Sequence, residues 1–445
     1  MVFEELTKIK VHESNLKIIQ PTYDNVASYE SLYRCGQECM DGLYWKPSVQ
    51  QFNLNLPSNI ARLSHSLYDG TFKSFGFNYF VIVERGKLRH INAVRIDERA
   101  VQKSLSYAIK ACIVPRLTLY NSATLANRGT GYCLYNLKQQ LNQISLRYGA
   151  KNCYIIILDY HGYYDSINHN ILLNQYANYI ADERVYELAA YFIRCFSLMK
   201  NDFNSAKTPK SKIPTIEEAK RMGLLDPNYI FNDQYLNFGL STEPGYDALS
   251  DYTDKISEKE YEMLKEFIKE TGVGLGSEIS QISGVMYGNH LYHALSEVYK
   301  VDNGQYMDDS YLISNDKERL KEARDFLIEE SKKLGLTYGK IAGPIRLTDV
   351  YYFLKKKIHV TETGKVLMQL SDTALAKHYR IIKNHYERFC NGSLDINYIF
   401  FNFYNWRQSN KYLDSRNDLI KLNNEFLKYF KDYLSPSQKK SLYAF

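Results

Sequence analysis

The residues best suited to chemistry in this chain are carboxylates placed where carboxylates are costly. In Tyr299–Ser314, YKVDNGQYMDDSYLIS, two short apolar-alternating runs meet at Asp308–Asp309. The pattern predicts a β-hairpin with both aspartates at its tip, led in by Gly304–Met307 and out by Tyr311–Ile313. An aspartate pair also serves plain turns, because the side chains bond their own backbone. A second stretch, Cys153–His169, CYIIILDYHGYYDSINH, shifts the balance: its unbroken apolar run stops on Asp159. Such a run without alternation predicts a strand buried on both faces. An ionised aspartate at its end needs a partner, and a metal cation is the candidate.

Asp159 with Tyr163, Tyr164 and Asp165, followed by Tyr306, Met307, Asp308 and Asp309, resembles the two aspartate motifs of the reverse-transcriptase palm, in that family's order. The resemblance covers roughly residues 75–360. It implies an α+β right-hand polymerase fold with fingers, a palm of antiparallel sheet plus helices, and a helical thumb. It also implies nucleotidyl transfer assisted by two Mg²⁺ ions about 4 Å apart, with Mn²⁺ as a substitute. Such hard cations take oxygen ligands. Asp159 and Asp308 are then the principal catalytic ligands and Asp309 the adjacent third.

The rest of the chain must position these groups. Its 445 residues, 45% hydrophobic and 24% charged, can bury a large core in several packed subdomains. A net charge of +6 is mild for a nucleic-acid binder, so any binding surface must come from local clustering of Lys and Arg. The 40 tyrosines could supply stacking faces or reflect coding bias. Seven scattered cysteines, among them Cys35 and Cys39 without a second pair, argue for reduced thiols rather than a zinc site. The N-terminal residues carry charges throughout, and no stretch approaches the roughly 20 apolar residues of a membrane span. The expectation is a soluble, cytoplasmic protein with no membrane contact.

Residues 1–75 read as a helical extension, with helices starting near Lys46 and over Asn59–Tyr68. Residues 76–150 read as fingers, with Asn78–Arg95 a hairpin around Arg85–Gly86. The family carries a basic hairpin over the incoming triphosphate, which implies phosphate-binding roles for Arg85, Lys87 and Arg89. Charge on such a hairpin also protects a sheet edge. Asp97 is a candidate N-cap of the next helix, which leaves Arg99 facing template or core. Arg128, in the turn before another helix, is a candidate nucleic-acid contact.

Residues 151–195 read as the first part of the palm. Tyr164 holds the family position of a bulky aromatic that excludes a 2′-hydroxyl; filling the palm core is its other role. His161 and His169 read as surface or capping residues, since Mg²⁺ prefers oxygen. Residues 196–270 read as an insertion, with a capping box from Thr215 to Glu218, suited to a structured RNA, a partner protein or another copy of the chain.

Residues 271–360 read as the second part of the palm. There Gly276, Ser280 and Gln281 resemble a nucleotide-site motif, its glycine letting backbone approach the base pair. Ser280–Gln281 looks more like phage-associated and diversity-generating members than group II intron enzymes. Lys317–Leu334 reads as a helix stopped by Gly335. Lys340 then falls where the family places a lysine near the triphosphate. The strand expected over Val350–Lys357 matches the primer-grip motif, with Phe353 and Leu354 kept and Lys355 in place of glycine, a candidate backbone contact. Residues 361–445 read as a helical thumb, in which Lys377, Arg380, Lys383 and Arg388 could track a duplex or form a solvated face.

The implied function is an RNA-directed DNA polymerase that makes cDNA from dNTPs on an RNA template, here a dedicated non-coding RNA. No segment resembles an RNase H, integrase or endonuclease domain, and the resemblance is to bacterial stand-alone enzymes, with antiphage defence the favoured role. The alternatives are a diversity-generating reverse transcriptase, a template-independent or protein-primed DNA polymerase, and, last, a non-catalytic RNA-binding scaffold.

Overall fold

A computed structural model describes residues 19–74, 78–84, 87–196 and 270–443, with backbone alone over 78–84 and 87–90. The hairpin tip at Arg85 and the insertion from 197 to 269, with Thr215 and Glu218, lie outside the described residues. Along the chain the elements begin with α1 (Tyr23–Ala27), α2 (Tyr29–Met40), α3 (Pro47–Leu54) and α4 (Leu56–Tyr68). Then come β1 (Asn78–Glu84), β2 (Lys87–Ala93), α5 (Ile96–Ile113), α6 (Thr130–Tyr148) and β3 (Tyr154–His161). Helices α7 (Tyr163–Ser166), α8 (His169–Tyr179), α9 (Glu183–Cys195), α10 (Glu278–Met286) and α11 (Asn289–Glu297) precede the hairpin β4 (Asp302–Tyr306) and β5 (Asp309–Ser314). After α12 (Lys317–Lys333) and β6 (Thr337–Arg346) come β7 (Tyr351–Phe353), β8 (Lys356–Val360) and β9 (Val366–Leu370). The described chain ends with α13 (Asp372–Cys390), α14 (Ile396–Asn410), α15 (Arg416–Phe430) and α16 (Pro436–Tyr443). This is an α+β chain with small antiparallel sheets, and no described helix is long and apolar enough to cross a membrane.

Contacts divide the chain into two units. The first, Met1–Arg128, Tyr160–Val298 and Asp325–Gly339, is mainly helical. Its long α5 buries Val101, Leu105, Ala108 and Cys112 at helical spacing, the stripe that fixes a helix on a core. Polar groups on the same helix are buried too, and Gln102 is satisfied on both sides: Ser277 donates to it at 2.6 Å and it donates to Glu98 at 3.0 Å. Asp97 does not cap α5, as its type suggested. The cap is Arg95, and Asp97 sits buried in the first turn, 3.0 Å from the Arg95 guanidinium. An acidic side chain in the first turn still complements the helix dipole.

The second unit comprises Gly129–Asp159, Tyr299–Arg324 and Lys340–Phe445. The sheet order is β4-β5-β3-β6, so β3 is an inner strand, which is why its Ile155–Leu158 run lacks alternation. Helix α6 and the meander β7-β8-β9 close one core of this unit, built from Leu137, Leu141, Ile155, Tyr311, Phe353 and Met368. A second core ties α13, α14, α15 and α16 together through Ile382, Phe403, Phe426 and Leu442. The helices expected beyond residue 370 are present. The strand expected over Val350–Lys357 is not continuous. It reverses at Leu354–Lys355, with φ of 44° and 62°, and the returning strand pairs Phe353 with Lys356. The boundary expected at 361 falls between two paired strands, since β9 completes the same sheet as β8.

Candidate active site

The acidic cluster lies within the second unit, and the sheet register assembles it. Antiparallel pairing of β3 with β5 sets Asp159 opposite Asp309, and pairing of β4 with β5 sets Tyr306 opposite Asp309. That leaves Met307–Asp308 as a two-residue turn. Met307 has φ 54°, a left-handed conformation that costs an L-residue about 1–2 kcal/mol. The hairpin behind it offsets this. Gln305 donates to the Met307 carbonyl at 3.2 Å, Tyr311 donates to Gln140 at 2.8 Å, and Gln140 donates to the Asn303 carbonyl at 3.2 Å. A Cβ on Gly304 would lie 2.4 Å from the Tyr311 hydroxyl, so only glycine admits that ring.

The three carboxylates are half-buried, and their mutual repulsion is visible in Asp309. Burial first, then the charges of Asp308 and Asp159, push its carboxyl up to about 7. The Lys340 and Lys355 ammonium groups oppose that rise. Both lysines are exposed, Lys340 on β6 and Lys355 at the β7–β8 turn. Among the described residues, no three His, Cys, Asp or Glu side chains are gathered tightly enough to hold a metal ion by themselves. As a donor set the cluster nevertheless suits a hard dication: three carboxylates, one of them with its pKa raised by burial first and then by the charges of the other two.

The remaining sequence-derived site residues of the second unit lie on its helices. Lys377, Arg380, Lys383 and Arg388 are exposed along α13. Beside them His378 stacks on Trp406 with ring centroids 3.5 Å apart.

In the first unit, Tyr164 begins five residues after Asp159 in sequence and packs over α10. A Cβ on Gly284 would sit 3.1 Å from its ring, and neighbouring Tyr163 donates to the Gly284 and Tyr287 carbonyls at 2.8 and 2.9 Å. Gly276 has φ 108°. A Cβ there would meet Ile91 at 3.1 Å and the Asn92 carbonyl at 3.2 Å, so the glycine admits β2. Ser280 is buried, whereas Gln281 one residue on is exposed. Arg99 pairs with Glu278 at 3.4 Å, and Arg128 donates to the Asn121 carbonyl at 2.6 Å, so both hold local structure. For Lys87 and Arg89 the backbone places them on β2, opposite Glu84 and Ile82.

His169 is not the surface or capping residue its type suggested. It is fully buried, its Nε2 lies 2.7 Å from the Gly272 carbonyl, and Asn168 provides the helix cap. Burial lowers its pKa to about 4, so it is neutral and pins the segment entering α10. Exposed His161 fits its expectation. Gly284, Gly304 and Gln140 are the positioning residues that motif reading missed. Glycine inside a helix or strand was the available signal for the first two.

No protein-family profile and no curated protein sequence matches the chain. Among solved structures, telomerase from Candida albicans in complex with a TWJ fragment of telomeric RNA aligns over 83% of this chain with TM-score 0.39 and 11% identity. Apo telomerase from Candida tropicalis, truncated from the C-terminal domain, aligns over 66% with TM-score 0.34 and 14% identity. The chain spans 61% and 55% of those two proteins. Overlaps this loose assign neither fold nor chemistry, which rest on the residues themselves.

Proposed function

We propose that this chain is an RNA-directed DNA polymerase that extends a cDNA on an RNA template with dNTPs. The observation that carries the reading is the register pairing of Asp159 with Asp309, with Asp308 in the adjoining turn and two lysines whose charge reaches the cluster. Asp159, Asp308 and Asp309 would hold Mg²⁺, or Mn²⁺ in its place. Mg²⁺ is commonly held by one or two carboxylates with substrate phosphates and water completing its shell, so a loose carboxylate cluster suits it. When bound, the ions would stabilise charge on the attacking and leaving oxygens of an in-line displacement. Lys340 and Lys355 place positive charge beside the carboxylates, where triphosphate and primer backbone need counter-charge. Tyr164, seated on Gly284, is the proposed discriminator of the sugar 2′-position.

The test is incorporation of labelled dNTPs by the full-length protein with Mg²⁺, using the RNA that co-purifies with it. RNase-sensitive cDNA synthesis that is lost in Asp308→Ala/Asp309→Ala supports the proposal, and Tyr164→Ala should raise rNTP use relative to dNTP. Silence of wild type with every nucleotide and template overturns it in favour of an RNA-binding scaffold.

A further inference from the structure

A basic face on the first unit joins Arg99 to three cations that no motif above includes. On α5, Arg99, Lys103 and Lys110 fall at offsets of four and eleven residues, hence on one side of the helix. From Arg99 to Lys110 the helix rises about 16 Å. Helix α2 packs against α5 and adds the exposed Arg34. Around the ring of Tyr107, itself 40% exposed, stand the Arg34 guanidinium at 5.9 Å and the Lys103 and Lys110 ammonium groups at 5.8 Å each.

An aromatic ring orients cations through its quadrupole but carries no net charge, so it gathers them without neutralising them. The counter-charges are few. Glu38 accepts from Tyr107 at 2.6 Å and pairs with Lys103 at 3.2 Å, and Glu278 pairs with Arg99 at 3.4 Å. Four cations therefore face two carboxylates. Burial, and after it the neighbouring Lys103 charge, lower the Lys110 pKa, while the Glu278 carboxylate opposes the fall.

We propose that this face binds the phosphate backbone of a single-stranded nucleic acid, which in the polymerase reading is the RNA template. Three of the cations lie within 5.9 Å of one ring, a compact cluster that fits neighbouring phosphates of one strand better than the two backbones of a duplex, which a groove separates. It is also continuous in sequence with the basic hairpin strand β2, which carries Lys87 and Arg89 and ends three residues before α5 begins. The choice of RNA rests on the polymerase reading, whereas the binding itself does not require catalysis.

The test is titration of full-length protein against a fluorescein-labelled oligouridylate without dNTPs, across a salt series, with thermal melts to establish folding. Removing two phosphate contacts in Arg34→Gln/Lys110→Gln should flatten the log K against log salt slope by about 1.4 and weaken binding roughly tenfold near physiological salt. Arg319→Gln/Lys321→Gln on α12 removes the same charge elsewhere and should change neither. Unaltered slope and affinity in the folded first variant, or an equal loss in the second, overturns the proposal. Lost binding with dNTP incorporation absent from wild type would sink the polymerase reading and leave this site standing.

Discussion

Two hairpins of the second unit invite comparison. Both β4–β5 and β7–β8 turn in two residues, and both place non-glycine residues in the left-handed region: Met307 in one, Leu354 and Lys355 in the other. Elsewhere in the same unit glycine takes positive φ at Gly149, Gly364 and Gly392, and Lys300, with φ 54°, is a further non-glycine residue there. The two hairpins differ in charge: Asp308–Asp309 gathers negative charge, and Lys355 carries the positive charge that opposes the rise in Asp309. At these two hairpin turns the strained backbone thus adjoins a charge held at a fixed point.

Changes at the acidic hairpin should cost most. Asp308→Ala should lower nucleotide incorporation about 10²- to 10³-fold, the range for loss of one preorganised electrostatic group, with little change in the urea melt. An equally active variant would reduce the acidic turn to an ordinary turn. Gly304→Ala drives a methyl group into the Tyr311 ring and should destabilise the protein by about 1–3 kcal/mol, read from the urea midpoint.

Asp309→Asn separates charge from packing. Because the folded pKa of Asp309 lies near 7, above its unfolded value, the folded state holds the extra proton and stability falls as pH rises from about 4 to about 7. The asparagine variant should lack this fall and be more stable than wild type at pH 8, on the order of 1–2 kcal/mol after solvent screening, while losing activity. Equal pH profiles would mean that neither burial nor the neighbouring carboxylates raise the Asp309 carboxyl. The smallest effect is expected in the basic hairpin. Lys355→Gly relieves strain of about 1–2 kcal/mol but adds unfolded-chain entropy, for a net gain of about 0.5–1 kcal/mol, with reduced incorporation. A loss of stability would remove the parallel between the hairpins.

How much was legible in the sequence follows the same contrast. The apolar run ending on Asp159 and the hairpin around Asp308 were readable because burial and charge oppose each other there. The helices beyond residue 370 were readable from their period, and the stop at Gly335 from its type. The reversal at Leu354–Lys355 was not, because that dipeptide lacks the Asn-Gly or Asp-Gly chemistry of a two-residue turn. The burial of His169 and the service of Gly276 to β2 depend on contacts with residues far along the chain. No local pattern encodes them.

The most direct test of the account is Mn²⁺ binding to the full-length protein, followed by electron paramagnetic resonance with primer–template and dNTP present. Wild type should take up Mn²⁺, and Asp308→Ala/Asp309→Ala should take up none above background. Equal uptake by the two proteins would contradict the assignment of these carboxylates as the metal site.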